Sequence, residues 1–286
     1  MFSIDLSDIA QNFNDHSPTS SYFLTQEKFY KNEVSKYFDS GEFSFNLGGK
    51  ISLINLPLFH MGDINSSHLF GINELIIFAY YQRTIPIKYK KILDLGGNIG
   101  LHSIVLSKLG GVVTAVEPDP IHISQFRHNL QLNQVEPSTV TIIEGAVSTQ
   151  NGGVVKFTRV TQNTTGSHLK GAKEGEPYGG FEEILVETVS LSSLLDENFD
   201  LVKMDIEGAE GDVLSSLKPE HFDTTDFIIE VGSLKNRLAI WKLSEQYDLI
   251  IFSQKNNWQM VSRIEEMPCH HSEGSIFISR SKFMEW

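Results

Sequence analysis

Asp94-Leu95-Gly96-Gly97-Asn98-Ile99-Gly100 sets an acid, an amide and three glycines between an apolar run, Lys91 to Leu95, and a helical pattern from Leu101 to Leu109. Glycines let the backbone turn tightly and approach a ligand with no Cβ in the way. The carboxyl ends of parallel strands are where open α/β sheets bind nucleotides. The dinucleotide fingerprint fails, because it requires glycine where Leu95 stands, and no GxxxxGK[ST] phosphate loop occurs. Further acids fall at the ends of predicted strands: Glu117 before Pro118, Glu144 before Gly145 and Ala146, then Asp205 and Glu230. Lys203 and Asp205 lie two apart and share one strand face. As ionisable groups at the end of a buried strand they need neighbours to offset desolvation, so a structural ion pair competes with a catalytic role. Glu207 and Glu210 suit the first turn of a following helix. His102 follows the glycine turn and could face the reacting end of a ligand. His60 and His68 lie in a polar stretch upstream, and a lone histidine is more often a surface or packing residue. Cys269-His270-His271 lacks a second ligand pair, so no metal site is expected.

These residues need a sheet to hold them. Short apolar runs at Lys91 to Leu95, Val112 to Val116, Val140 to Ile143, Leu201 to Met204, Phe227 to Val231, Leu249 to Phe252 and Ser275 to Ile278 read as strands. Helical patterns cover Ile72 to Tyr81, Leu101 to Leu109, Ile121 to Leu132 and Leu234 to Tyr247. The alternation predicts an α/β fold, with a mostly parallel central sheet and helices on both faces. Val154 to Phe157 and Ile184 to Val189 read as strands flanking a polar, glycine-rich insertion, Thr161 to Gly180, of a length usually functional or disordered. The first 70 residues differ. Ser7 to Tyr37 is polar with scattered aromatics, and Pro57 to Leu69 is rich in turn residues. Between them, Phe43 to Leu47 and Ile51 to Ile54 alternate around Gly48-Gly49 as a β-hairpin. The expected organisation is an N-terminal cap over 1–70 and a catalytic domain over 71–286, with an insertion near 160–183.

Asp94 to Gly100 matches Asp-x-Gly-x-x-x-Gly, the first motif of class I S-adenosylmethionine-dependent methyltransferases, and Glu117 stands where these enzymes hold the donor's ribose hydroxyls. Leu201 to Glu210 (LVKMDIEGAE) resembles the Lys-x-Asp-x-Glu-Gly-x-Glu hallmark of FkbM-type methyltransferases. Glu117-Pro118, Asn129, Asn133, Glu144 to Ser148, Thr188 to Leu191 and Ile228 to Glu230 fit the same pattern, while Gly97 replaces its usual alanine. The match runs from about Glu74 to Val231. The resemblance implies a Rossmann-like class I methyltransferase fold and S-adenosylmethionine as methyl donor. It further implies O-methylation of a sugar, glycan or secondary metabolite, with nitrogen as acceptor in some relatives. The donor residues expected from these readings are Asp94, Gly96, Gly97, Asn98, Gly100, Glu117, Pro118, Glu144, Ala146 and Asp205. Glu144 could accept from the adenine amine, with backbone at Ala146 beside the ring. The catalytic candidates are Asp205, Glu230, Lys203 and His102. Two strand-end acids permit a proton acceptor or a Mg²⁺ site, and the metal-free base is favoured because no third oxygen ligand is evident.

With 23 Lys+Arg against 36 Asp+Glu, the formal charge is −13. That balance argues against a general nucleic-acid or anionic-membrane binder. Cys269 is the single cysteine, which fits a reducing compartment. No secretory signal or membrane-spanning run is read, so a cytoplasmic enzyme acting on a small-molecule or carbohydrate acceptor is expected, with a homodimer allowed. The competing readings are an N-methyltransferase of an amide or nucleobase and a donor-binding protein without catalysis. Asp205-Ile206-Glu207-Gly208 in place of Asn/Asp-Pro-Pro-Tyr/Phe disfavours the first, and acids at both Asp205 and Glu230 disfavour the second.

Overall fold

The computed structural model describes residues 1–49, 51, 53–173 and 180–286. At the N-terminus, β1 (Phe2–Ser3) leads into α1 (Leu6–Gln11), whose first turn is capped by the Asp5 carboxylate. Next comes α2 (Ser21–Asp39), capped by the Ser20 hydroxyl and burying Phe23, Tyr30, Val34 and Phe38 along one stripe. The strands β2 (Ser44–Asn46) and β3 (Ile54–Asn55) pair antiparallel, with β1 parallel to β2. The expected hairpin therefore forms with a longer connection; Lys50 and Ser52 lie outside the described residues. A short ribbon, β4 (His60–Met61) and β5 (Ile64–Asn65), follows.

The alternating α/β region begins with α3 (Ile72–Thr84), a mostly buried helix. The chain then alternates β6 (Lys91–Leu95), α4 (Leu101–Lys108), β7 (Val112–Glu117), α5 (Pro120–Leu132) and β8 (Val140–Glu144). The insertion is sheet as well as loop: β9 (Ala146–Ser148), β10 (Val154–Val160), β11 (His168–Leu169) and β12 (Phe181–Ser190) form a second sheet in the order β11-β10-β12-β9. The main chain resumes with α6 (Leu191–Leu195), β13 (Leu201–Met204), α7 (Glu210–Ser215), β14 (Asp226–Glu230), α8 (Leu234–Tyr247), β15 (Ile250–Ser253), β16 (Gln259–Met260) and β17 (Ser275–Ser279).

The main sheet runs β16-β15-β17-β14-β13-β6-β7-β8. From β14 to β8 every neighbouring pair is parallel, whereas β17 runs antiparallel to both β14 and β15. Parallel strands buried on both faces read as apolar runs, and β6 (beyond Lys91) and β13 do so except at Asp94 and Lys203, which face each other. The order reverses beside β6, so the carboxyl ends of β6, β7, β13 and β14 open onto one crevice. Residues of the N-terminal segment, among them Ile4, Phe45 and Phe70, share one hydrophobic core with Ile92, Ile104 and Phe277. The cap is thus packed as part of the same body.

Candidate functional site

At the sheet's carboxyl edge a cavity of about 1400 Å³ opens. The crevice end of β6 turns sharply because Gly96 adopts φ +79°, and a Cβ there would stand 1.8 Å from the Asp205 carbonyl oxygen. Only glycine lets the two strand ends approach so closely. Gly97 is explained by packing: a Cβ would lie 2.9 Å from the Phe126 ring. The alanine of the family pattern would require that ring to shift. Neither Gly97 nor Gly100 lines the cavity; Gly96 and Asn98 do.

Asp94 lies beneath this turn and is fully buried. Its Oδ2 accepts from the Ser103 hydroxyl at 2.6 Å, and its Oδ1 lies 3.5 Å from the Lys203 ammonium. Lys203 in turn donates to the Gly96 carbonyl at 3.1 Å and sits 3.9 Å from Asp205. Burial alone would lower the Lys203 ammonium, but Asp94, Asp205, Glu74 and Glu230 together hold it above its ordinary value. A lysine kept charged in this way is a poor base and a good electrostatic anchor. Asp94 and Lys203, expected at the donor and in catalysis, are therefore positioned as the support under the glycine turn, outside the cavity lining.

Glu117 ends β7 and is 5% exposed. Its Oε2 accepts from the Asn98 N–H at 2.8 Å and its Oε1 from the Asp119 N–H at 2.9 Å, which leaves lone pairs on both oxygens. Burial outweighs those bonds and pushes the carboxyl up to about 7. Pro118, Gly145, Ala146 and Val147 line the wall beside it. Glu144 does not. Its carboxylate turns to the surface, where Arg127 pairs with it at 2.5 Å, so the expected acceptor for a ring amine points away from the crevice.

On the other side stand Asp205, Glu207 and Glu230. Burial, reinforced by Asp205, Glu207, Glu74 and Glu210, raises Glu230 well above the usual carboxylate range. Glu207, pushed up to about 7 by burial and Asp205, pairs with Lys173 of the insertion. Glu210 closes its own turn, accepting from the backbone N–H groups of Ile206 and Gly208 and from the Asn236 amide. The expectation that Glu207 and Glu210 both open a helix holds only for Glu210.

His102 also falls outside the cavity lining. Its Nε2 bonds Glu74 at 2.7 Å and its Nδ1 lies 3.2 Å from the Tyr81 hydroxyl. The residue that reaches the cavity is Glu74, from the first turn of α3. Burial would raise this carboxyl, but the His102 bond and the charge of Lys203 bring it below its ordinary value. Sequence reading missed Glu74, since a glutamate in the first turn of an apolar helix looks like a dipole partner. It also missed His122, which lines the same cavity. His60 is exposed on the ribbon, and His271 and His68 reach the cavity rim. Among the described residues, no group of three or more His, Cys, Asp or Glu is arranged to hold a metal ion.

A parallel sheet whose glycine turn and strand-end acids meet at the switch point, with one antiparallel strand inserted beside β14, has the class I methyltransferase fold. The chain belongs to the FkbM methyltransferase family, whose domain matches residues 94–257. It is similar to "Methyltransferase 1" of Beauveria bassiana, 27% identical over 188 residues that cover 58% of this chain and 75% of that protein. It is also similar to "Methyltransferase sdnD" of Sordaria araneosa, 29% identical over 161 residues, covering 46% of this chain and 62% of that one. Among solved structures it resembles the precorrin-6Y C5,15-methyltransferase of Geobacter metallireducens, at TM-score 0.39 and 13% identity, over 72% of this chain and 86% of that chain.

The protein is an S-adenosylmethionine-dependent methyltransferase, and the residues present fit that donor. Asn98 lines the cavity with a buried Oδ1 that has no partner among the described residues. Gly96 exposes bare backbone beside it, and Glu117 retains acceptor capacity. Such a set recognises hydroxyl and ammonium groups. No helix among the described residues is long and apolar enough to cross a membrane.

Proposed function

We propose that this enzyme transfers a methyl group to a hydroxyl oxygen of a sugar, glycan or other small hydroxylated metabolite, with Glu117 on the donor's ribose and the Asp205–Glu230 pair on the acceptor. The observation that carries this reading is that Asp205 and Glu230 line the same cavity as Glu117, where burial and the charge of Asp205 raise the Glu230 carboxyl. An alcohol gains nucleophilic character only when a base takes its proton, and a carboxylate lifted toward neutrality is a better base than an ordinary one. The cavity volume, about 1400 Å³, exceeds what one small ligand needs and leaves space for an acceptor beside the donor.

S-adenosylmethionine, when bound, supplies an electrophilic methyl carbon on a sulfonium. The chain's own contribution is positioning and proton transfer. Ionised Glu230 accepts the hydroxyl proton while Asp205 orients the same group, and the leaving proton remains on Glu230 until solvent removes it. Glu74 adds a fixed negative charge nearby, held ionised by His102. Lys203 offsets the accumulated charge from below. Fixing both reactants in line is itself a large part of such an acceleration. The single cysteine supports a cytoplasmic setting.

The test is methyl-labelled S-adenosylmethionine incubated with a panel of monosaccharides, glycosides and phenolic or aliphatic alcohols, alongside amines, amides and nucleosides. Label in a methyl ether supports the reading. Label in an N-methyl product overturns the assignment to oxygen, and donor binding with no transfer to any member favours a non-catalytic donor-binding protein.

A further inference from the structure

The described part of the insertion lines the crevice and is fastened on both sides of it. Toward β13, Lys173 pairs with Glu207, and the Ala172 carbonyl packs against Gly208. Toward β7, two polar contacts tie it to the turn that carries Glu117. Arg159 of β10 donates to the Asp119 carboxylate at 2.6 Å, and His122 of α5 bonds the Thr164 hydroxyl at 2.8 Å through Nε2. The other edge of the same imidazole faces Glu117, with Nδ1 3.8 Å from Oε1. His122 is 3% exposed and Thr164 6%, so the contact is buried. From the N-terminal side, the Asp63 N–H donates to the Gln162 carbonyl at 2.7 Å and Gly62 bridges Asn163, which pins the segment just before Thr164.

We propose that His122 and Thr164 belong to the donor site as positioning residues, coupling the state of Glu117 to closure of the 161–169 segment over the crevice. This rests on the reading that Glu117 holds the donor. A neutral imidazole has one N–H and one lone pair. When Glu117 is ionised and in use, the tautomer with its proton on Nδ1 faces that carboxylate, and Nε2 must then accept from Thr164. The loop's hydrogen bond and the carboxylate are thereby linked through one ring. Burial drives the imidazole down to about 4, so it stays neutral at working pH and the link needs no change of its charge. Linkage is reciprocal: if the ligand secures the loop, breaking the loop's bond must weaken the ligand by the same factor.

The experiment uses S-adenosylhomocysteine with the full chain. Hydrogen exchange of peptides over 161–169 is followed with and without the ligand, and calorimetry gives its Kd. The wild type should show slowed exchange on binding. Thr164→Val, which keeps shape and loses the hydroxyl, should lose that protection and raise Kd about three- to tenfold, the equivalent of one net hydrogen bond. Thr164→Ser should restore both, and His122→Gln, which keeps a polar atom near Nε2, should recover more than His122→Phe. Thermal melts of every variant separate misfolding from uncoupling. Binding that Glu117→Ala weakens but Thr164→Val leaves unchanged, with protection intact, overturns this inference alone. No binding to the wild type, or binding indifferent to Glu117→Ala, overturns the donor assignment and this inference with it.

Discussion

Glu117→Gln should make the ligand-free protein more resistant to unfolding at neutral pH while weakening it as a receptor. In the folded chain the Glu117 carboxyl is raised from 4.5 to about 7, chiefly by burial. The native state therefore binds more protons than the unfolded state between those values, and stability falls as pH rises through that window, levelling off above it. At about 1.4 kcal/mol per pH unit, the wild type loses about 3 kcal/mol across the window relative to a variant with no titrating group. The glutamine gives back part of this, because its amide nitrogen cannot accept from the Asp119 N–H that Oε1 now serves, at a cost of about 1 kcal/mol. That cost is constant with pH, so the difference in slope is the signal. Urea titrations at intervals from pH 4.5 to 8 should show the two proteins diverging, with the wild type falling relative to the variant. Calorimetry should show S-adenosylhomocysteine binding weakened by about 1.5–3 kcal/mol, the range for a hydrogen bond to a charged group. For the wild type, affinity should rise with pH up to about 7 as the carboxylate forms. Parallel stability curves would refute the buried-carboxylate reasoning, and unchanged affinity would remove Glu117 from the donor site.

Other consequences follow from the same geometry. With Glu230 raised well above the usual carboxylate range, turnover should climb about tenfold per pH unit before reaching a plateau; a flat profile that Glu230→Gln leaves unaltered would exclude it as base. Glu74→Gln removes one of the charges that raise Glu230, so the climbing limb should move to lower pH, and an unmoved limb would separate the two groups. Lys203→Met strands the buried Asp94 carboxylate and should cost about 3–5 kcal/mol in denaturant titration; a loss under about 1 kcal/mol would deny the anchor role. Gly96→Ala forces a Cβ onto the Asp205 carbonyl in a left-handed conformation, so both melting temperature and donor affinity should fall, and a wild-type melt would contradict the turn geometry.

The main sheet was legible because its strands are short apolar runs closed by glycine turns, as Lys91 to Leu95 and Leu201 to Met204 show. The strand-end acids Glu117, Asp205 and Glu230 were legible for the same reason, since position along a buried strand fixes which side chains meet the crevice. Glu144 ends a strand too, but Arg127, about two turns into α5 on its exposed face, draws it outward, and no periodicity reports that competition. Glu74, and with it the pairing that turns His102 away from the crevice, escaped because that contact spans two helices that sequence order does not join. The long helix α2 hid its stripe: Phe23, Tyr30, Val34 and Phe38 recur at helical spacing, yet the polar residues between them dominate the composition. The second sheet was half legible, as its strands β10 and β12 were seen while their pairing with β9 and β11 was not. Glu174 to Gly179 of the expected insertion loop lie outside the described residues.

The central claim is that the donor occupies the crevice between Glu117 and the Asp205–Glu230 pair. A crystal structure of the protein with S-adenosylhomocysteine tests it most directly. In that complex the ribose hydroxyls should lie on the Glu117 carboxylate, the adenine against Ala146 and Val147, and the sulfur should be directed toward Asp205 and Glu230. A ribose away from Glu117, or a sulfur turned from those two acids, would contradict it.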